Sequence, residues 1–492
     1  MARGSRVGFL AFVAVVSGVG IGAAVAFKPL YGVAGVAVVT LGLVALWRPA
    51  IGAYVLVVLV PVTSGFRRGF PIPHLGISEA LVAFLGVIIL LTAARRQAVP
   101  WSGLDWLLLA WAAGWLLVGG IDVVRFHEPL GLRAFEALLG PFQFLLLYRA
   151  VLTALPLRHQ RRRALALFLW SSVPVSLLAI LQQFRLHVVQ RFVAYLTGGS
   201  VFNTYAYHYF ARATGPFSHW TPLAGYLFVV LLAGLALILE GDPPLPRRRL
   251  LLILLLAATA LLLTAELSAM FGTVVGAVIL GAWYGRLRQV VRWLGVGAIV
   301  LGVAFGSYFG HRLHDEFTRT AGSARSSLVP QTIEYRLQIW TGQYFPAIGE
   351  HPVAGWGAEL PSNINWQYTE SQYVTLLMEG GVLVLGAYGG LMWCLFARSR
   401  RLGRRSRAPT PPNEGRAMAR SLAVMVALLV PMNAVFPYFS SGGLAQPFWV
   451  VAAILAAASS SGRLSHAVGP AAATEALPGT AVAAAVAAPS GV

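Results

Sequence analysis

The stretch TESQYVTLLMEGGVLVLG, residues 369–386, opens with Glu370, Ser371 and Gln372 and then runs into leucine, valine and glycine around a second acid, Glu379. It reads as the start of a membrane helix. A charged side chain at the centre of a bilayer costs about 3 kcal/mol on insertion scales, and one retained there marks a pathway or a site. Helical spacing puts Gln372 and Glu379, seven residues apart, on one face. It puts Glu370 near the opposite side, roughly 13 Å closer to the helix start.

The surrounding chain has the composition such a helix needs. Of 492 residues, 58% are hydrophobic and 11% charged, and the apolar residues come in long blocks rather than amphipathic stripes. That excludes an ordinary soluble domain and implies an all-α polytopic integral membrane protein. The single cysteine, Cys394, excludes an intramolecular disulfide and a cysteine-based metal site. The formal charge of +20 would suit nucleic acid, but its distribution follows membrane topology instead, so no nucleic-acid partner is expected. Among the 37 basic residues only Lys28 is lysine, a bias from which no function is read.

A helix crossing the roughly 30 Å hydrocarbon layer needs about 20 residues. Spans are expected near 7–27, 30–46, 51–64, 78–94, 104–120, 134–153, 164–184, 219–239, 249–264, 267–284, 290–309, 370–396, 417–437 and 443–460. That is about 14, or about 12 if the short segments 51–64 and 249–264 do not cross by themselves. The first resembles a signal peptide with an Ala24-Val25-Ala26 site, but its apolar run is long, so an uncleaved span is expected. With the N-terminus inside, the arginine-rich turns, such as Arg158 to Arg163, Arg247 to Arg249 and the run from Arg398 to Arg420, all fall on the cytoplasmic side.

Two outer segments are longer than turns. One is 185–218, rich in aromatic residues and histidine; the other is 310–369, ending at the opening stretch. Within the second, QTIEYRLQIWTGQYFPAIGEH has helical spacing, with Arg336 and Trp340 four apart. The helix is expected to break at Pro346, Pro352 and the Gly355-Trp356-Gly357 turn and to lie along the outer surface. The organisation is thus one polytopic domain, 1–460, containing the extracytoplasmic loop 310–369, then an Ala/Pro/Gly/Ser-rich tail, 461–492, read as disordered and cytoplasmic.

Each candidate residue has a bland reading. Glu370 suits a helix start, where negative charge complements the macrodipole. Glu379 could pair with a buried arginine or a neighbouring helix. Arg212, just before a span, and Arg336 could simply snorkel to the lipid–water boundary. The guanidinium fork, however, suits phosphate and diphosphate better than any other side chain. His311-x-x-His314-Asp315-Glu316 has metal-like spacing, but a solvated helix extension accounts for it, so no metal is expected. Without a P-loop, a G-x-G-x-x-G turn or a G-x-S-x-G elbow, no cofactor is expected either.

Three segments in order carry a resemblance. ARATGPFSHWTPLAGYL (211–227) resembles the R-x-x-G-x-F start of a span in the O-antigen ligase and O-antigen polymerase (Wzy-like) superfamily of membrane glycan transferases. YRLQIWTGQYFPAIGEHPVAGWGAE (335–359) resembles that family's R-x-x-x-W and P-x-x-G-x-G periplasmic segment. ESQYVTLLMEGGVLVLG (370–386) resembles its H-N-x-x-L and E-x-G-x-x-G helix. The chain departs from the pattern at three places. Glu370 stands where the ligases carry a histidine, Ser268-Ala269-Met270 replaces a common S-R-G run, and Val384 replaces a glycine.

The resemblance implies a GT-C-like fold in the bacterial plasma membrane with its active site on the outer face and both termini cytoplasmic. It implies transfer of a glycan from an undecaprenyl-diphosphate carrier, with lipid-linked oligosaccharide, membrane lipids and other polysaccharide-assembly proteins as partners. By resemblance Arg212 and Arg336 hold the donor diphosphate. Gln372, Glu379 and His219 join them as substrate-binding residues. Glu370, at the depth where lipid-borne diphosphate meets water, is the expected catalytic base.

Three functions are weighed: a polymerase of lipid-linked repeat units, a ligase moving a finished glycan to a lipid or protein acceptor, and a transporter or flippase of lipid-linked sugars. The absent histidine counts against the ligase. The lack of matching inverted halves counts against the transporter.

Overall fold

The structure, a computed structural model, describes residues 29–66, 76–94, 99–126, 132–197, 212–318, 331–357, 369–404, 414–440 and 442–467. Among them every regular element is helical, and 84% of the structure is helix. The helices are α1 (Pro29–Trp47), α2 (Pro49–Thr63), α3 (Ile77–Ala94), α4 (Gly103–Phe126), α5 (Leu132–Ala154), α6 (Arg158–Gln183) and α7 (His187–Thr197). Then come α8 (Trp220–Glu240), α9 (Arg247–Leu263), α10 (Leu267–Trp283), α11 (Leu287–Thr318), α12 (Gln331–Ile339) and α13 (Phe345–Glu350). Helices α14 (Gln372–Arg404), α15 (Glu414–Val435) and α16 (Ala445–Ala467) complete the order.

Each apolar block from 30–46 onward forms a helix, with ends close to those expected from block length. The expected first span, 7–27, lies outside the described residues, as does most of the tail. Helix α16 runs on to Ala467, past the 461 boundary. Among the described residues, five helices (α4, α6, α8, α14 and α15) are long and apolar enough to cross a membrane. This is a membrane protein. Helix α8 is the axis of the bundle: 94% of its apolar window is buried, because α6, α9, α10, α15 and α16 pack around it.

Ion pairs close the bundle at the end where α6 and α15 begin and α8 finishes. Arg158 and Arg161 reach Glu414 at 3.1 and 3.3 Å, and Arg158 also reaches Asp242 at 2.7 Å. Arg162 pairs with Asp242, and Arg416 with Glu240 at 2.7 Å. Several arginines that set the orientation in the sequence are therefore fastened to acids on other helices.

Beneath them, Arg149 of α5 meets Asp105 of α4 at 3.2 Å, with the Asp105 side chain fully buried. Asp105 also accepts from the Ser102 amide and hydroxyl, and so caps its own helix. Asp105→Ala leaves the Arg149 charge buried without its carboxylate. The expected loss is about 3–5 kcal/mol of stability, read as a lower unfolding midpoint of the detergent-purified protein. A shift of under 1 kcal/mol would place the pair in a solvated environment.

Candidate active site

At the opposite end, the start of α14 departs from a plain membrane helix. Its first helical residue is Gln372, and Glu370 before it has φ +57°. A left-handed residue cannot continue a helix, so the helical-wheel placement of Glu370 across from Glu379 does not hold. Glu370 belongs to the turn that feeds the helix. Its carboxylate does not cap α14; it accepts a hydrogen bond from the Arg336 guanidinium at 2.8 Å.

The four-residue spacing of Arg336 and Trp340 explains how that pair is held. Residues i and i+4 lie on one face of α12 and its continuation. Arg336 takes the Glu370 side chain, while the Trp340 indole N–H donates to the carbonyl of Thr369 at 2.8 Å. Both ends of the unit clamp Thr369 and Glu370, just ahead of α14. At Trp340 the helix widens into a π-helical turn, Trp340–Tyr344, before α13 resumes, a distortion frequent at functional sites. Pro346 does not break the helix as expected: it sits in the first turn of α13, directly after the π-helical turn. Tyr344 is buried beneath the pair, and burial, followed by the neighbouring Tyr335 and Glu370, pushes its phenol up to about 12.

The Pro352–Gly357 turn is inserted into a break in α14. Gly381, at φ +61° and ψ −164°, interrupts the helical ladder. The turn replaces the lost bonds: Trp356 and Gly357 amides donate to the carbonyls of Met378 and Glu379 at 2.7 and 2.9 Å. In return, the Val382 and Leu383 amides donate to Pro352 and Val353 at 2.9 and 3.3 Å. In a membrane protein such non-helical backbone survives only where protein satisfies it. Gly355 is required because a Cβ there would lie 2.7 Å from main-chain atoms of residues 378–380. Glu379, partly buried, thus sits beside the docked turn.

Gln372 is 2% exposed, and its amide is used up within the protein. Its oxygen accepts from the Phe439 and Ser440 amides, both at 3.1 Å, and its nitrogen donates to the Ser440 hydroxyl at 2.8 Å. It fastens the turn between α15 and α16 to the start of α14. His219 caps α8, accepting from the Thr221 amide, and stacks on Phe436. The Arg212 guanidinium lies over the Trp220 ring, 4.4 Å from its centroid.

Three further polar groups meet near the start of α10. The Glu266 carboxylate at the start of α10 accepts from the Thr221 hydroxyl at 3.2 Å and the Ser268 hydroxyl at 2.8 Å. Ser268 in turn meets the Tyr438 phenol at 2.6 Å. In the sequence, the signal for this group is an acid, Glu266, at the junction of the apolar blocks 249–264 and 267–284.

Arg336 completes the site's electrostatics. Its Nε is buried and, among the described residues, has no hydrogen-bond acceptor. The Glu370 side chain that Arg336 meets is 26% exposed.

Residues 251–389 match the family model described as O-antigen ligase. The match supports an O-antigen ligase/Wzy-like family. The matched segment contains Glu266, Ser268, Arg336, Trp340, Glu370 and the docked turn, whereas Arg212, His219 and Tyr438 lie outside it. The match supports glycan transfer of the O-antigen ligase and polymerase type as the general activity. No curated protein matches the chain. Among the described residues, no group of three or more His, Cys, Asp or Glu side chains could hold a metal ion.

Proposed function

We propose that the protein transfers a glycan from an undecaprenyl-diphosphate-linked donor to an acceptor sugar at the outer face of the plasma membrane, polymerising cell-surface polysaccharide repeat units. The observation that carries this reading is the Arg336–Glu370 pair, clamped at the mouth of α14 within the O-antigen ligase segment. The architecture it calls for is GT-C-like, with about 12–14 spans and an extracytoplasmic loop over 310–369.

Arg336 and Arg212 hold the donor diphosphate, for which planar guanidinium groups are the best-suited side chains. When the diphosphate takes Arg336, Glu370 loses its partner and becomes free to accept a proton. The acceptor hydroxyl oxygen then bonds to the donor's anomeric carbon, and its proton passes to Glu370. The bond from that carbon to the diphosphate oxygen breaks, and its electron pair leaves on undecaprenyl diphosphate, stabilised by the two arginines. Gln372, His219 and Glu379 shape the site around these groups. A glutamate in place of the ligases' histidine favours polymerisation. The family description, O-antigen ligase, keeps transfer of a finished glycan as the second reading.

Product analysis tests the proposal. Purified protein given the lipid-linked glycan that accumulates when its gene is deleted should produce chains of increasing length. Transfer only to a different acceptor would establish the ligase, and movement across vesicles without bond formation a transporter. Orientation has its own measurement: in a background lacking Cys394, Ser323→Cys should react with an impermeant thiol reagent on intact cells and Ser406→Cys should not. The reverse pattern would put the site in the cytoplasm.

A further inference from the structure

Glu266 is not needed to hold α10 to its neighbours by an ion pair, yet it gathers groups from three separate segments. Thr221 comes from the start of α8, Ser268 from α10, and Tyr438 from the turn between α15 and α16. The corner that presents it is strained, since Ala265 just before it has φ +48°. Around the carboxylate stand aromatic rings: His219 lies 3.6 Å from Trp220 between centroids and stacks at 10° on Phe436, which meets Tyr438 at 5.1 Å. Glu266, Ser268, His219 and Trp220 are all partly exposed, while Tyr438 is fully buried behind them.

This combination has a chemical meaning. A carboxylate is an acceptor with about four lone-pair positions, and the protein's hydroxyls leave some of that capacity open. Adjacent sugar hydroxyls are donors that meet a carboxylate in pairs, and the C–H face of a pyranose packs on an aromatic ring. A few fixed polar groups among aromatic side chains are the usual make-up of a small-ligand site. The cluster is also tied to the start of α14, because Tyr438 lies in the 436–440 turn that Gln372 fastens there.

We propose that Glu266, with Thr221, Ser268 and the His219–Trp220–Phe436 aromatic wall, forms the subsite that binds the acceptor sugar through its hydroxyls. The assignment rests on the glycan-transfer reading above for the word acceptor, but not for the binding of carbohydrate. Glu266 is a positioning residue for the sugar; Glu370 remains the proton acceptor.

The test uses the full-length protein in nanodiscs with two probes. One is undecaprenyl diphosphate; the other is the oligosaccharide released by mild acid from the lipid-linked glycan of the deletion strain. In Glu266→Gln the oligosaccharide's saturation-transfer NMR signal should fall, and its KM as acceptor should rise about tenfold to a hundredfold, the scale of a lost hydrogen bond to a charged group. Undecaprenyl diphosphate affinity and kcat should stay within about twofold of wild type, since their groups are untouched. Glu266→Asp should recover part of the acceptor affinity, which a purely structural cap would not do in KM. Unchanged oligosaccharide binding and KM in a folded Glu266→Gln protein would overturn the subsite, as would an equal loss of undecaprenyl diphosphate binding. If the wild type binds the oligosaccharide through Glu266 but transfers nothing, the subsite stands and the transferase reading fails.

Discussion

Glu370→Gln should lower turnover about 10²–10⁴-fold, the usual contribution of general-base help, while undecaprenyl diphosphate still binds. Glutamine keeps the shape of the side chain and can still accept a hydrogen bond from Arg336, so the clamp of α12 on residues 369–370 survives. What it removes is the carboxylate that takes the acceptor's proton once Arg336 moves to the diphosphate. The expected signature is therefore a fall in kcat at nearly unchanged donor affinity. Arg336→Lys is the complementary variant: a lysine ammonium cannot reproduce the planar fork that grips the diphosphate. It should weaken undecaprenyl diphosphate binding as well as turnover. If Glu370 served only to shape the turn, its glutamine variant would lose roughly 1 kcal/mol of stability and turn over normally per folded molecule. A drop of less than about threefold would remove Glu370 from the chemistry. Alongside a large loss in Glu370→Gln, retained activity in Glu370→His, which restores the residue the ligases carry, would support a proton-accepting role at this position.

Gly381→Ala should be the most damaging small substitution in α14. Its φ and ψ lie in a region open essentially to glycine alone, at a cost of about 1–3 kcal/mol for another residue. An added Cβ would also fall 2.2 Å from the Val353 carbonyl oxygen and 2.6 Å from the Ala354 nitrogen. Those atoms are main chain in the docked turn and cannot rotate away, so overpacking adds about 1–3 kcal/mol more. The turn should undock, exposing the amides of Trp356 and Val382, and activity should go with it because Trp356 packs with Tyr344 beneath the Arg336–Glu370 pair. Gly386→Ala is the control in the same helix: nothing lies within 4 Å of its Cβ, and alanine favours helix. Unfolding midpoints and amide exchange of the two purified variants give the comparison. Equal stability would mean that the 352–357 turn does not fill the break.

The length and spacing of apolar blocks determined where the helices from α1 to α16 run, α7, α12 and α13 apart, because a helix that meets lipid must satisfy its own backbone and do so over a membrane's width. Two of the three ordered motifs, at 335–359 and 370–386, fall within the segment that matches the O-antigen ligase family model, and the first, at 211–227, lies before it. These are local properties: each is carried by residues within a few helical turns of one another. The partners were decided elsewhere. Glu370 meets Arg336 across 34 residues of chain, Gln372 holds a turn 67 and 68 residues away, and Ser268 finds Tyr438 at a separation of 170. Such contacts leave no period in the sequence. The break at Gly381 was hidden for the same reason: Gly380-Gly381 among valines and leucines reads as a tolerated pair within a helix. It becomes a site only when another segment supplies the hydrogen bonds that the helix has given up. Sequence thus marked the charged residues at the mouth of α14, and the packing of α8, α10, α12 and the 436–440 turn around them decided which charges face one another.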